Sequence, residues 1–344
     1  MGTPGDDVVA VTSCSTYSVR IAETTNSLLL LPEPDSPLLP ADEHESEVRH
    51  ITNTQFYHLE LLPIHPVLPR LHTLLAPATY AGPELEDADT PGGLGHPDSL
   101  HTTDQLLDLV QASPDQLMSG LAALHAVSIG GFWRLLDPAY AALLLDVVLT
   151  YMAIEDIPLT GGRIELDGLL ASATEYNPDA LGAVLARFAV RDPNVSGWVL
   201  NPEAVALFKG IEVLGLASDE WVLSEFVAAW RDALPEEFHA CVNVELLHGH
   251  MAIAPPIDVS PAINALSPAG HSRISLLRER DLPRDHIPRF DALFAAQSHW
   301  SRPALQPYLT PLVPPNAPVD PLLLKHTRST VPPDHTARVY SSRY

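Results

Sequence analysis

The chain has 344 residues, room for two or three domains at roughly 150 residues each, and 46% of them are apolar, enough to bury a sizeable core. Asp and Glu number 43 against 19 Lys and Arg, a net charge of −24, which argues against a general nucleic-acid coat with its basic, counterion-displacing surface. Two cysteines, Cys14 and Cys241, are too few for a disulfide framework and point to a reducing compartment.

The N-terminus, MGTPGDDVVAV, carries two acids and no basic region, so it does not read as a signal peptide. Residues 14 to 31 read as strands: Thr16, Tyr17, Val19 and Ile21 favour β structure, Thr24 to Ser27 is turn-like, and Leu28 to Leu31 is a short apolar run. Pro32, Pro34 and Pro37 end it. Phe56 to Leu62 is a second apolar stretch, broken by Pro63, Pro66 and Pro69. Residues 76–101, rich in Pro, Gly and acid and without periodicity, read as a linker.

Beyond residue 101 the pattern is helical. Thr102 with Gln105, and Ser113-Pro114-Asp115-Gln116, are capping boxes. Leu117, Leu121 and Leu124 follow on one helical face, Gly130-Gly131 ends the helix, and Phe132 to Leu135 alternates like a strand. The same unit recurs. Asn177-Pro178-Asp179 opens a helix with Leu181, Leu185 and Phe188 at matching offsets, and Gly197 precedes the strand Trp198 to Leu200. A third, weaker copy starts at Pro235 with Phe238 and Val242, has His248-Gly249-His250 as a solvated turn, and offers Met251 to Ile253 in place of the Trp strand. Strands ahead of the second and third helices, Ile164 to Leu166 and Trp221 to Leu223, complete a strand–helix–helix–strand order. That order describes tandem winged-helix domains. Trp133 and Trp198 then hold equivalent wing positions, expected to be largely buried against their own helix pair.

The apolar stretch Pro138 to Ile154 is interrupted by Asp146 and shorter than the ~20 residues of a membrane span, so it reads as a buried helix and no membrane partner is expected. No phosphate-binding loop, dinucleotide fingerprint, HExxH or paired CxxC is present, and no catalytic group, metal site or cofactor is expected. DNA contact requires cations. The helix from Asp115 to Val127 has no Lys or Arg, whereas Arg187, Arg191, Arg273, Arg278 and Arg280 lie in or after the second unit. Residues 273–344 carry a net +4, leaving −28 for residues 1–272. The array therefore reads as protein-docking blocks, with weak, salt-dependent DNA contact confined to those five arginines. A tandem winged-helix transcription regulator is the alternative, and its expected basic recognition helices are missing.

Several stretches are specific enough to compare with a family: Thr16 to Leu29, LLDLVQASPDQLMSGLAALHAVSIGGFWRLL from Leu106 to Leu136, FVAAW with LPEEF, SRISLLRERDLP with RFDALF, and Ala337 to Arg343. In these the chain resembles the sister chromatid cohesion (DCC) subunit family of the alternative, cohesion-specific replication factor C clamp loader. The resemblance implies an α+β fold: an N-terminal β-barrel half shared with partner subunits, then three tandem winged-helix domains. It implies a non-catalytic, nuclear adaptor of a PCNA clamp loader, acting in sister chromatid cohesion and DNA replication. Its partners would be the large and small subunits of that clamp loader and the catalytic subunit of the leading-strand DNA polymerase epsilon, with PCNA met indirectly. Tyr17, Ile21, Leu28 and Leu30 become the partner-binding candidates of the β-rich segment. Members of the family usually have several dozen residues ahead of the Tyr17 strand, where this chain has sixteen, so barrel strands are expected to be missing. The expected division is 1–75 β-rich segment, 76–101 linker, 102–140, 141–215 and 216–280 winged helices, and 281–344 short helices with a basic tail.

Overall fold

The computed structural model describes residues 7–31, 51–64, 66, 68–86, 99–191, 197–216, 220–314, 317–333 and 335–343. It is a mixed α+β chain. The first strands, β1 (Val9–Val11), β2 (Thr16–Leu30) and β3 (Asn53–Ile64), form an antiparallel sheet with β2 in the centre. No closed barrel forms among the described residues. Thr24 to Ser27, expected as a turn between two strands, instead interrupts one long strand: the register shifts between Glu23 and Leu28, and pairing with β3 resumes beyond it. The extra residues are taken up as an irregularity of the bulge kind because β3 continues alongside. Pro63 is tolerated inside β3 because that strand is an edge.

The first helical unit contains α1 (Pro69–Leu75), α2 (Thr103–Leu109), α3 (Pro114–Ala123) and the hairpin β4 (Val127–Ile129) with β5 (Phe132–Arg134). Both capping boxes form: Thr102 and Ser113 accept from the backbone N–H groups of Gln105 and Gln116, whose side chains reach back. Leu71, Leu75, Leu106, Leu117 and Leu121 make its core. Gly130 and Gly131, both at positive φ, close the hairpin. The stretch expected as a linker is partly structured. Short 3-10 turns occupy Ala76–Ala78 and Pro83–Leu85, and Tyr80 is buried against Tyr140. Arg134 holds that stretch: its guanidinium donates to Ala78 O at 2.8 Å and Thr79 O at 3.2 Å, pairs with Glu86 and lies over the Tyr80 ring. Residues 87–98 of the expected linker lie outside the described residues.

The next two units follow one plan. In the second, α4 (Pro138–Ile154) precedes β6 (Arg163–Ile164), α5 (Leu166–Ser172), α6 (Pro178–Phe188), β7 (Ala189–Arg191) and β8 (Trp198–Leu200), with sheet order β6-β8-β7. In the third, α7 (Pro202–Leu214) precedes β9 (Trp221–Val222), α8 (Leu223–Asp232), two 3-10 turns (Glu236–Cys241, Val244–Leu247), β10 (Met251–Ala254), α9 (Pro261–Asn264) and β11 (Arg273–Leu276), with order β10-β11-β9. In each, the last strand lies between the other two. The helix expected from Pro235 is thus two 3-10 turns. Met251 to Ala254 is the counterpart of β7, not of the Trp strand, which β11 replaces. Asp137, Asn177 and Asn201 cap α4, α6 and α7, each followed by Pro at the first helical position. One continuous core joins these two units.

Residues 281–344, expected as short helices and a tail, repeat the plan once more. They contain α10 (His286–Ala296), β12 (His299–Ser301), α11 (Arg302–Leu309), α12 (Asp320–His326), β13 (Thr327–Thr330) and β14 (Val339–Ser342), in sheet order β12-β14-β13. The supposed tail is its central strand. Trp300 and Tyr308 are buried in its core. The expected solvated turn at His248-Gly249-His250 is partly buried, because Pro307 of this unit packs against Gly249.

Candidate partner interface

Among the described residues, hydrogen bonds tie the β1–β3 sheet to the helical units at one end. Thr16, buried, donates to Gln116 Oε1 at 2.6 Å and accepts from Ser113 N at 3.1 Å, so the cap of α3 also clasps the sheet. Asp115 N donates to Ser13 O at 3.2 Å and Gln111 Nε2 to Asp7 O at 2.8 Å.

Away from this clasp the sheet is open. Cross-strand partners share a face, and the pairs Val19–Leu61, Ile21–Leu59 and Glu23–Tyr57 make one face mostly apolar. Ile21 is 69% exposed and Leu59 59%, and Tyr57 and Leu61 are exposed as well. The opposite face carries Arg20 against Glu60 and His58 near Glu60 at 3.4 Å. Beyond the irregularity Leu28 and Leu30 are exposed opposite Gln55 and Asn53. Of the four partner-binding candidates, Tyr17 is half-buried at the clasped end and Ile21, Leu28 and Leu30 are uncovered. Tyr57, Leu59 and Leu61 belong to the expected apolar stretch but were not among the partner-binding candidates, although their alternation with His58 and Glu60 is the signal of a two-faced strand.

Trp133 lies on β5 and Trp198 on β8. Trp133 faces His101 and Trp198 faces Ile164 across the sheet, as Tyr340 faces Trp300 in the last unit. Both indoles are half-buried, less than expected. Trp133 Nε1 donates to Thr103 Oγ1 at 2.9 Å, and the fully buried tryptophans are Trp230 and Trp300.

The five arginines do not form one patch. Arg187 lies over the rings of Phe208 at 4.6 Å and Phe188 at 5.1 Å, and burial lowers its pKa to about 10, so it serves packing. Arg191, on β7, is exposed. Arg273 stands 3.8 Å from Glu220, and Arg280 donates to His72 Nε2 at 2.8 Å and lies 3.8 Å from Asp281. Arg278 is half-buried between them in sequence. Glu279, next to Arg278 and Arg280 in sequence, is taken by buried Arg289 at 2.8 Å. Among the described residues no group of three His, Cys, Asp or Glu side chains is placed to hold a metal, and no helix is long and apolar enough to cross a membrane.

Repeated strand–helix units carrying a sheet with an exposed, mostly apolar face define an α+β protein. The chain belongs to the family described as sister chromatid cohesion protein Dcc1, whose model matches residues 1–309. It is similar to the sister chromatid cohesion protein DCC1 of Xenopus tropicalis, 29% identical over 350 residues that take in 99% of this chain and 83% of the relative. The Homo sapiens protein of that name is 27% identical over 355 residues, covering 99% and 82%. That of Saccharomyces cerevisiae is 23% identical over 238 residues, covering 65% and 58%.

Proposed function

We propose that this chain is a non-catalytic adaptor in sister chromatid cohesion and DNA replication, acting in the nucleus as a subunit of an alternative, replication factor C-type loader of PCNA. Its β1–β3 sheet is half of a barrel completed by the large and small subunits of that loader. The four strand–helix–helix–strand–strand units are winged helices, and they link the loader to the catalytic subunit of DNA polymerase epsilon. DNA contact is weak and carried by Arg191, Arg273, Arg278 and Arg280.

The observation that carries this reading is the exposed face of Ile21, Leu59 and Leu61 on a sheet whose outer strands, among the described residues, have no further strand beside them. An open apolar sheet invites edge pairing and aggregation unless another chain covers it. Membership of the cohesion family supports the choice of covering chains. The neutral or acidic second helices of the units support docking to protein over reading of DNA, since phosphate contacts need cations. Co-expression with the two loader subunits followed by size exclusion tests it. The three chains are expected to elute together, and to separate when Ile21→Asp and Leu59→Asp are combined. Elution of the unaltered chain on its own would refute the reading.

A further inference from the structure

One side of α4 stays uncovered. Ala139, Leu143, Val147, Thr150 and Ile154 recur at steps of three or four, a single stripe along the helix. Leu143 is 44% exposed and Ile154 74%. The stripe forms the floor of a groove of about 670 Å³, also lined by the end of α5 and by α7. Ala139 and Ile154 are fifteen helical steps apart, ~22 Å along the axis, the length of a partner helix of four turns.

The rim is acidic. Asp146, Glu155, Glu175 and Glu212 line the groove. The one lysine among the lining residues, Lys209, is already engaged, 3.8 Å from Asp146 and 3.2 Å from Glu212. Four carboxylates against one ammonium leave an unneutralised negative rim around an apolar floor.

We propose that this groove docks an amphipathic helix of a protein partner, apolar on one face and flanked by Lys and Arg. Charge selects the occupant. Duplex DNA and anionic membranes are repelled by the rim, and a second copy of this chain would bring the same surplus of −24 against it. A helix fits better than a strand because the lining comes from helices and their ends, and apolar anchors at i, i+4, i+7 and i+11 match such a floor. The inference does not depend on which subunits cover the β1–β3 sheet, since α4 lies outside it.

The test uses the full-length protein and a labelled 16-residue peptide with four leucines on one helical face and Lys or Arg beside them. Two controls accompany it, one with every cation replaced by Glu and one with the same composition scrambled. The basic amphipathic peptide is expected to bind with a micromolar Kd that weakens as salt rises. Leu143→Asp combined with Ile154→Asp should weaken it about tenfold or more without moving the thermal midpoint, since both positions are exposed. Glu155→Lys with Glu175→Lys should flatten the salt dependence. Equal binding of the scrambled peptide, equal binding by the Leu143/Ile154 variant, or no binding at roughly 100 μM would overturn the proposal. So would self-association of the chain that the same two substitutions abolish.

Discussion

Arg134 and Arg289 are both 3% exposed, and each fastens chain that a sequence reading leaves irregular. Arg289 donates to Pro283 O and Tyr308 O and pairs with Glu279, so one side chain ties the turn at 279–283 to α11. Arg289→Ala is expected to cost about 3–5 kcal/mol, because it strands a carboxylate and two buried carbonyls, and Arg289→Lys should recover little, lacking the planar fork. Urea unfolding of the full chain measures both. Gly210 makes a similar point by absence. A Cβ there would sit 2.7–3.0 Å from the Trp230 indole, which donates to Ala206 O at 2.8 Å. Gly210→Ala should therefore destabilise by about 1–3 kcal/mol through overpacking, despite the better helix propensity of Ala. The Thr102, Ser113 and Asn177 caps were legible at this scale, because such residues ahead of a helical pattern state a local preference that needs no distant partner. The buried role of Arg187 was not, since Phe208 reaches it from another helix.

Elements were legible where their pairing is local. The Phe132 and Trp198 strands announce themselves through glycine and alternation, whereas β4 was hidden, since the helix expected from Asp115 to Val127 ends at Ala123 and Val127 already belongs to the strand. The last unit did not, because its central strand β14 closes on β12 some 40 residues earlier and no capped helix repeats the earlier spacing. The third unit was misaligned for a related reason: β10 and β11 are separated by a long connection, so the nearer strand was read as the Trp counterpart. For the β1–β3 sheet, the apolar strands were visible but not which residues share a face, since the irregularity after Glu23 changes the register. Ile21→Asp with Leu59→Asp is expected to leave the thermal midpoint of the isolated chain unchanged while abolishing capture by partner subunits, as these side chains are already in water. Charge reversal of Arg273, Arg278 and Arg280 should weaken duplex binding and lower its salt slope. Equal slopes would leave those arginines to their intramolecular partners, Glu220, Asp281 and His72.

At the scale of the whole molecule, burial disfavours the charged form of several imidazoles. His125 is lowered to about 4 by desolvation and then by Arg187, and desolvation also lowers His248 and His250. Each folded value lies below the unfolded one of about 6.5, so the unfolded chain binds more protons under mildly acidic conditions. Stability is then full above pH 6.5 and lost as pH falls toward 4. Calorimetry from pH 7.5 to 5 should show a falling midpoint, with a shallower fall in His250→Gln; a flat or rising midpoint would contradict this. The same scale shows how the units cohere. Tyr308 OH lies 3.0 Å from Met251 O, Gln297 Oε1 accepts from Ile253 N at 2.8 Å, and His72 of α1 meets Arg280. The helical units are thus joined by a shared core and by cross-ties, and the β1–β3 sheet has a clasp at one end and an exposed face.

Amide hydrogen exchange on the full-length chain, alone and with the two loader subunits, tests that contrast most directly. The account predicts fast exchange along β2 and β3 beyond Val19 in the free chain and strong protection there in the complex. Amides of α4, α6, α7 and β14 should be protected in both. Full protection of β2 and β3 in the free chain, or none gained on adding the subunits, would contradict it.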